Sequence, residues 1–250
     1  MIMDVQGVTF RYPSHPVLEA VSFTVGLGEF LAVLGTNGTG KTTLLKCMNR
    51  ILKPAAGTVL IGSESISALS RNTLAQKIGY VEQQRSGSRT TVFNAVLLGR
   101  KPYIQWDITH NDMEIAAQAL DTLGLGDYAL RYLDTLSGGE LQKVIIARAL
   151  AQQPEVLLMD EPTSSLDLKN QLEVLKLIRQ ITRERGIAAV VAIHDLNLAL
   201  RFADRFVLLK EKRIFAAGGA EVMTPENIEA VYAVPVAMTS YNGNRFVIPL

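Results

Sequence analysis

The stretch Phe30-Leu31-Ala32-Val33-Leu34-Gly35-Thr36-Asn37-Gly38-Thr39-Gly40-Lys41-Thr42-Thr43 decides the fold. Five apolar residues read as a buried strand and run straight into a glycine-rich loop, after which Leu44, Leu45 and Met48 continue at helical spacing. Gly35 to Thr42 fits the pattern Gly-x-x-x-x-Gly-Lys-Ser/Thr, which arises by chance in roughly one chain in a hundred of this size. The glycines let the loop wrap until backbone N–H groups face phosphate oxygens at the positive end of the following helix. Lys41 is placed to reach the β- and γ-phosphates, and the Thr42 hydroxyl to ligate Mg²⁺.

Outward from this loop, strand patterns dominate the first third. Val5 to Phe10 and Ala20 to Val25 flank a turn region holding Pro13 and Pro16, which predicts an antiparallel pair. Thr58 to Ile61 and Ile78 to Val81 read as further strands. From about Gln84 to Gln153 the pattern turns helical, with Ile115, Ala119, Leu120 and Leu123 on one face and a second run from Leu141 to Ala151. Alternation then resumes: strand Val156–Met159, helix Leu168–Arg185, strand Ala188–Ile193, helix Leu196–Phe202 and strand Arg205–Leu209. Continuous apolar strands between helices predict a parallel sheet covered on both faces. The expected architecture is an α/β nucleotide-binding core, residues 1–83 and 154–250, with a helical lobe, residues 84–153, inserted into it. A final hairpin is predicted from Val236 to Leu250 around Asn242-Gly243.

Composition narrows the function classes. The 250 residues carry 25 basic and 24 acidic side chains, a net charge of +1, which argues against nucleic-acid or lipid binding by bulk electrostatics. A single cysteine, Cys47, leaves no disulfide framework and no thiolate metal cluster within the chain, so it reads as cytosolic. Met-Ile-Met-Asp has no signal-peptide character. The longest apolar stretch, Ile187 to Ile193, is far short of the ~20 residues that span a bilayer. Any membrane role is expected to come through a partner.

Two further elements carry chemistry. In Val156-Leu-Leu-Met-Asp160-Glu161 the first carboxylate ends a buried strand, where it is placed to hold magnesium or its water. Glu161 follows as a general base for an attacking water. In Leu136-Ser137-Gly138-Gly139-Glu140 the serine is suited to cap the next helix, and the pentapeptide is expected by chance in about one such chain in two thousand. It makes a second anion nest, yet one nucleotide has only one γ-phosphate, which points to a nucleotide held by another subunit.

With these elements in order, the sequence resembles the ATP-binding subunit of an ATP-binding-cassette transporter over essentially its whole length. That resemblance implies a P-loop NTPase fold, a RecA-like parallel sheet with an antiparallel β subdomain and an inserted helical subdomain. It makes Gly35–Thr42 the Walker A loop, with Thr43 also binding ATP, Val156–Glu161 the Walker B segment, and Leu136–Glu140 the signature. It further implies adenine stacking by Tyr12, a Q-loop at Gln83 that senses magnesium and water, a D-loop at Ser165-Leu-Asp167, and a switch histidine at His194. Gln84 leaves a register alternative for Gln83. Glu82 and Thr36 stand where the family usually has proline, so the Q-loop is expected to be less rigid and the phosphate loop little changed.

The implied cofactors are ATP and Mg²⁺. The implied partners are a second copy of the chain, two integral membrane permease subunits and, indirectly, a periplasmic or extracellular substrate-binding protein, but no nucleic acid. The expected location is the cytoplasmic face of a prokaryotic cell membrane. Leu-Gly-Arg-x-Pro-Tyr103, His194-Asp-Leu-Asn-Leu-Ala and Thr224-Pro-Glu-Asn look like the iron-siderophore, haem and cobalamin importer branch, which also includes molybdate and tungstate importers. Thr91 to Tyr103 resembles the region that receives the permease's coupling helix. A repair or translation ATPase, a non-hydrolysing cassette and an exporter are the competing readings. The short span from Gln83 to Leu136, the single cassette, and the presence of Glu161 and His194 argue against the first two.

Overall fold

The computed structural model describes residues 1–82 and 89–250. Strands β1 (Met3–Arg11) and β2 (Pro16–Val25) pair antiparallel, Met3 opposite Val25, as the turn-flanked apolar runs predict. Strand β3 (Phe30–Leu34) follows, then helix α1 (Lys41–Met48), β4 (Ala56–Ile61), the short β5 (Glu64–Ser65), α2 (Arg71–Lys77) and β6 (Ile78–Val81). Helices α3 (Val92–Leu97), α4 (His110–Thr122) and α5 (Gly138–Ala151) make the lobe. The chain returns through β7 (Val156–Asp160), α6 (Leu168–Arg185), β8 (Ala188–Ala192), α7 (Leu196–Phe202), β9 (Arg205–Lys210) and β10 (Arg213–Gly218). It ends in α8 (Pro225–Tyr232) and a hairpin of β11 (Val236–Tyr241) and β12 (Asn244–Pro249).

The main sheet has the order β10-β9-β3-β8-β7-β6, parallel except for the edge strand β10. A second, antiparallel sheet has the order β2-β1-β4-β5. Every residue of β3, β7 and β8 is buried, because both faces of these strands are covered. The period-two geometry of a strand then splits β3 between two cores. Leu31 and Val33 pack with α1 and the antiparallel sheet, whereas Phe30, Ala32 and Leu34 pack towards the lobe, α6, α7 and the C-terminal elements.

The lobe is tied by a buried charge. The Arg100 guanidinium, 3% exposed, donates to Asp112 Oδ1 at 2.9 Å and to the Ala151 carbonyl at 2.8 Å, and it stacks over the Tyr103 ring at 3.8 Å. One side chain thereby joins the starts of α4 and the end of α5. Among the described residues no helix is long and apolar enough to cross a membrane.

Candidate nucleotide site

Parallel strands β3, β7 and β8 all end at one edge of the main sheet, with Val33 opposite Ala192 and Asp160 opposite Ala192. The chain segments leaving those ends therefore meet there, where open α/β sheets place their ligands. They are the phosphate loop after β3, Asp160-Glu161 at the end of β7, and His194 just beyond β8.

The loop's shape depends on two glycines. Gly35 has φ 149°, and a β-carbon there would stand 2.6 Å from the Leu209 carbonyl oxygen. Gly40, with φ 101°, would press a β-carbon to 2.9 Å from Leu18. Only glycine tolerates both the conformation and the crowding. Thr39 Oγ1 donates to the Thr36 carbonyl at 2.8 Å and closes the turn. Lys41 lies over this turn with its ammonium donating to the carbonyls of Gly35 at 2.8 Å and Thr36 at 3.1 Å. Burial holds the Lys41 pKa below the usual lysine value, against the opposing pull of Glu161 and Asp160.

Next to it Thr42 Oγ1 donates to Asp160 Oδ1 at 3.0 Å. Burial lifts the Asp160 carboxyl above the usual carboxylate range, Thr42 opposes the shift, and the Glu161 charge adds to it. A hydroxyl and a carboxylate held together are hard oxygen donors of the kind magnesium takes, so the residues fit that ion. Glu161 adopts φ 51°, a conformation rarely found outside glycine. Its backbone N–H is held by the Ala192 carbonyl at 3.2 Å, and its Oε1 is hydrogen-bonded to His194 Nε2.

A cavity of about 210 Å³ opens over these groups. Its walls bring together Tyr12, Asn37, Gly38, Gly40, Lys41, Thr42, Thr43 and Glu161, all singled out from the sequence. His15 and Val17 complete it. Tyr12 meets Phe10 edge to face at 5.0 Å and His15 at 5.8 Å, which fixes its ring at the cavity mouth. No local signal marks His15 or Val17; they arrive because β2 turns back beside the loop. Gln83 lies outside the described residues.

The signature residues lie elsewhere. Among the described residues, none of Ser137, Gly138, Gly139 and Glu140 lines the cavity. Ser137 is the N-cap of α5, and its backbone N–H donates to Glu140 Oε2 at 2.7 Å in a capping box. That bonding holds the Glu140 carboxyl below the usual range. Asp167 caps α6 by accepting from the Asn170 N–H at 2.8 Å, and Asn170 in turn abuts Gly139. One contact escaped sequence reasoning altogether: the Gly35 N–H donates to the Tyr232 hydroxyl at 3.0 Å. Burial pushes the Tyr232 pKa up to about 12, so the phenol stays neutral.

Compared with known protein families, residues 18–164 match the one described as ABC transporter. The chain belongs to the ABC transporter family. As a member it is an ATP-binding ATPase subunit, and its fold is the family's α/β cassette. It is 54% identical over 250 residues to the ABC transporter ATP-binding protein MJ0089 of Methanocaldococcus jannaschii, covering 100% of this chain and 98% of that one. It is 34% identical to the petrobactin import ATP-binding protein YclP of Bacillus subtilis, over 98% of both chains. A solved ABC transporter described as of metal-chelate type, in an inward-facing conformation, superposes with a TM-score of 0.87 at 32% identity, covering 100% of this chain and 97% of that one.

Proposed function

We propose that this ABC ATPase powers an importer of iron-siderophore, haem or cobalamin, working as a head-to-tail dimer at the cytoplasmic face of a prokaryotic membrane. The reading is carried by one observation: the groups suited to phosphate chemistry line one cavity, while the second anion nest, at Ser137–Gly139, lies outside it. A nest outside the chain's own cavity fits a nucleotide on another copy.

In this reading Tyr12 stacks on adenine and the backbone of Gly38 to Thr43 cradles the phosphates. Lys41, held by the two loop carbonyls, reaches the β- and γ-phosphates. Thr42 and Asp160, with Gln83, would hold Mg²⁺, which neutralises phosphate charge when bound. Glu161 accepts a proton from the attacking water, and His194 orients that carboxylate from the far side. Ser137 and Gly139 of the partner copy close on the γ-phosphate, Asp167 follows the same seam, and loss of that phosphate lets the copies part.

Coupling to two membrane permease subunits is assigned to a cleft of about 550 Å³ between the core and the lobe. Arg71, Leu74, Ala95, Leu98 and Arg148 line it, and so do Tyr80 and Gln152. Among the described residues, Tyr80 Oη and Gln152 Oε1 are buried with no hydrogen-bond partner, a state that an incoming polar segment relieves. The import reading draws on the petrobactin and metal-chelate relatives. A binding protein outside the membrane would choose the substrate.

Glu161→Gln should hold ATP and accumulate a dimer by light scattering, with turnover near zero. A monomer at saturating MgATP would sink the shared-site reading.

A further inference from the structure

In the proposed site the phosphates have a loop, magnesium two oxygen donors, the attacking water a base and adenine a ring, but the sugar between them has no partner. Stacking on Tyr12 does not supply one, because every base offers a π-face and a ring face makes no directed hydrogen bond. Apart from Tyr12, the cavity walls that lie outside the phosphate loop, α1 and Glu161 are His15 and Val17. Both are placed by the turn between β1 and β2. The Tyr12 N–H donates to the His15 carbonyl at 2.9 Å and the His15 N–H to the Tyr12 carbonyl at 3.3 Å, so this pair closes a turn with only Pro13 and Ser14 at its centre. Residues paired in this way carry their side chains on one face, and the two rings meet at 5.8 Å, inclined by 43°. Val17 follows on the same face and abuts the phosphate loop: a β-carbon on Gly40 would stand 3.0 Å from its Cγ1. Two residues of extended chain therefore set His15 back from that contact by about 7 Å. The first group of a nucleotide outward from loop-bound phosphates is its sugar.

The imidazole is also oriented. Ser14 Oγ lies 2.8 Å from its Nδ1, and among the described residues Nδ1 is the ring nitrogen that is hydrogen-bonded. Where the serine hydroxyl donates, Nε2 carries the proton; in the other tautomer Nε2 is an acceptor. A sugar hydroxyl both donates and accepts, so it suits either form. We propose that His15 is a specificity residue for the ribose of the nucleotide, its Nε2 hydrogen-bonded to a sugar hydroxyl while Tyr12 covers the base. The proposal rests on the nucleotide reading of this cavity.

The test is a set of calorimetric Kd values for the magnesium complexes of ATP, 2′-deoxyATP, 3′-deoxyATP and tripolyphosphate, the last of which has no nucleoside. Wild type should hold ATP about three- to tenfold more tightly than at least one of the deoxynucleotides, the loss of one neutral hydrogen bond. His15→Phe keeps a ring beside Tyr12 and removes both nitrogens. It should weaken ATP by the same factor, bring ATP level with that deoxynucleotide, and leave tripolyphosphate within about twofold of wild type. Equal affinity of the wild type for ATP and both deoxynucleotides overturns the proposal and leaves the nucleotide reading intact. A preference for ATP that survives in His15→Phe does the same. Equal losses of ATP and tripolyphosphate in His15→Phe also overturn it, since they mark a damaged phosphate loop rather than a lost sugar contact. Failure of the wild type to bind either MgATP or magnesium tripolyphosphate overturns both readings.

Discussion

Gly139 and Asn170 are packed so closely that a β-carbon on the glycine would lie 2.4 Å from the asparagine Oδ1. The signature turn of the lobe thus rests directly on the helix that Asp167 caps, and Lys143 adds an ion pair to Glu173 at 3.0 Å between the same two helices. Motion of either turn must be shared by the other.

Gly139→Ala should push Asn170 aside and displace the signature turn. We expect ATPase activity to fall at least tenfold while MgADP binding to the single chain changes less than twofold, because the cavity's own walls are untouched. Equal losses of binding and turnover would place Ser137–Gly139 in the same-chain pocket instead.

Asp160 gives a pH-dependent prediction. Its carboxyl is raised above the normal range chiefly by burial, so the ionised form is a cost to the folded, nucleotide-free protein. Stability linked to this group is present at low pH and lost as pH rises through the elevated pKa. Asp160→Asn should therefore melt higher than wild type near neutrality, by about 2–4 °C for each kcal/mol relieved. The advantage should vanish below the usual aspartate pKa. Turnover by the variant should be abolished. A lower melting temperature at neutral pH would show that the charge is stabilising.

In the lobe, Asp112→Ala leaves the Arg100 guanidinium buried without its carboxylate. Removing one member of a buried pair costs about 3–5 kcal/mol, so thermal unfolding should drop sharply. Asp112→Asn keeps one acceptor for Arg100 but turns its amide N–H₂ towards the Thr109 N–H, so it should recover only part of the loss. Wild-type stability in Asp112→Ala would remove this pair from the lobe's framework.

Much of this arrangement is legible in the sequence, for local reasons. A five-residue apolar run must be a covered strand, a glycine-rich loop before a helix must expose N–H groups, and Ser-x-x-Glu at 137–140 writes its own capping box. Edge strand β10 was missed because Arg213–Gly218 has no strong apolar alternation, only half-buried positions at every second residue. Helix α8 carried a start signal in Thr224-Pro225, but its short length hid it. The Gly35–Tyr232 bond joins residues 197 positions apart, and the Gly139–Asn170 packing joins two turns on different helices. Such contacts are set by how layers stack, which periodicity along the chain does not encode.

Lys41 rests on the Gly35 and Thr36 carbonyls. Those oxygens take two of the three N–H donors of the ammonium and leave the third for another acceptor. A phosphate oxygen arriving over the turn therefore meets a cation that is already immobilised, and the freedom of that long side chain is lost on folding rather than on binding.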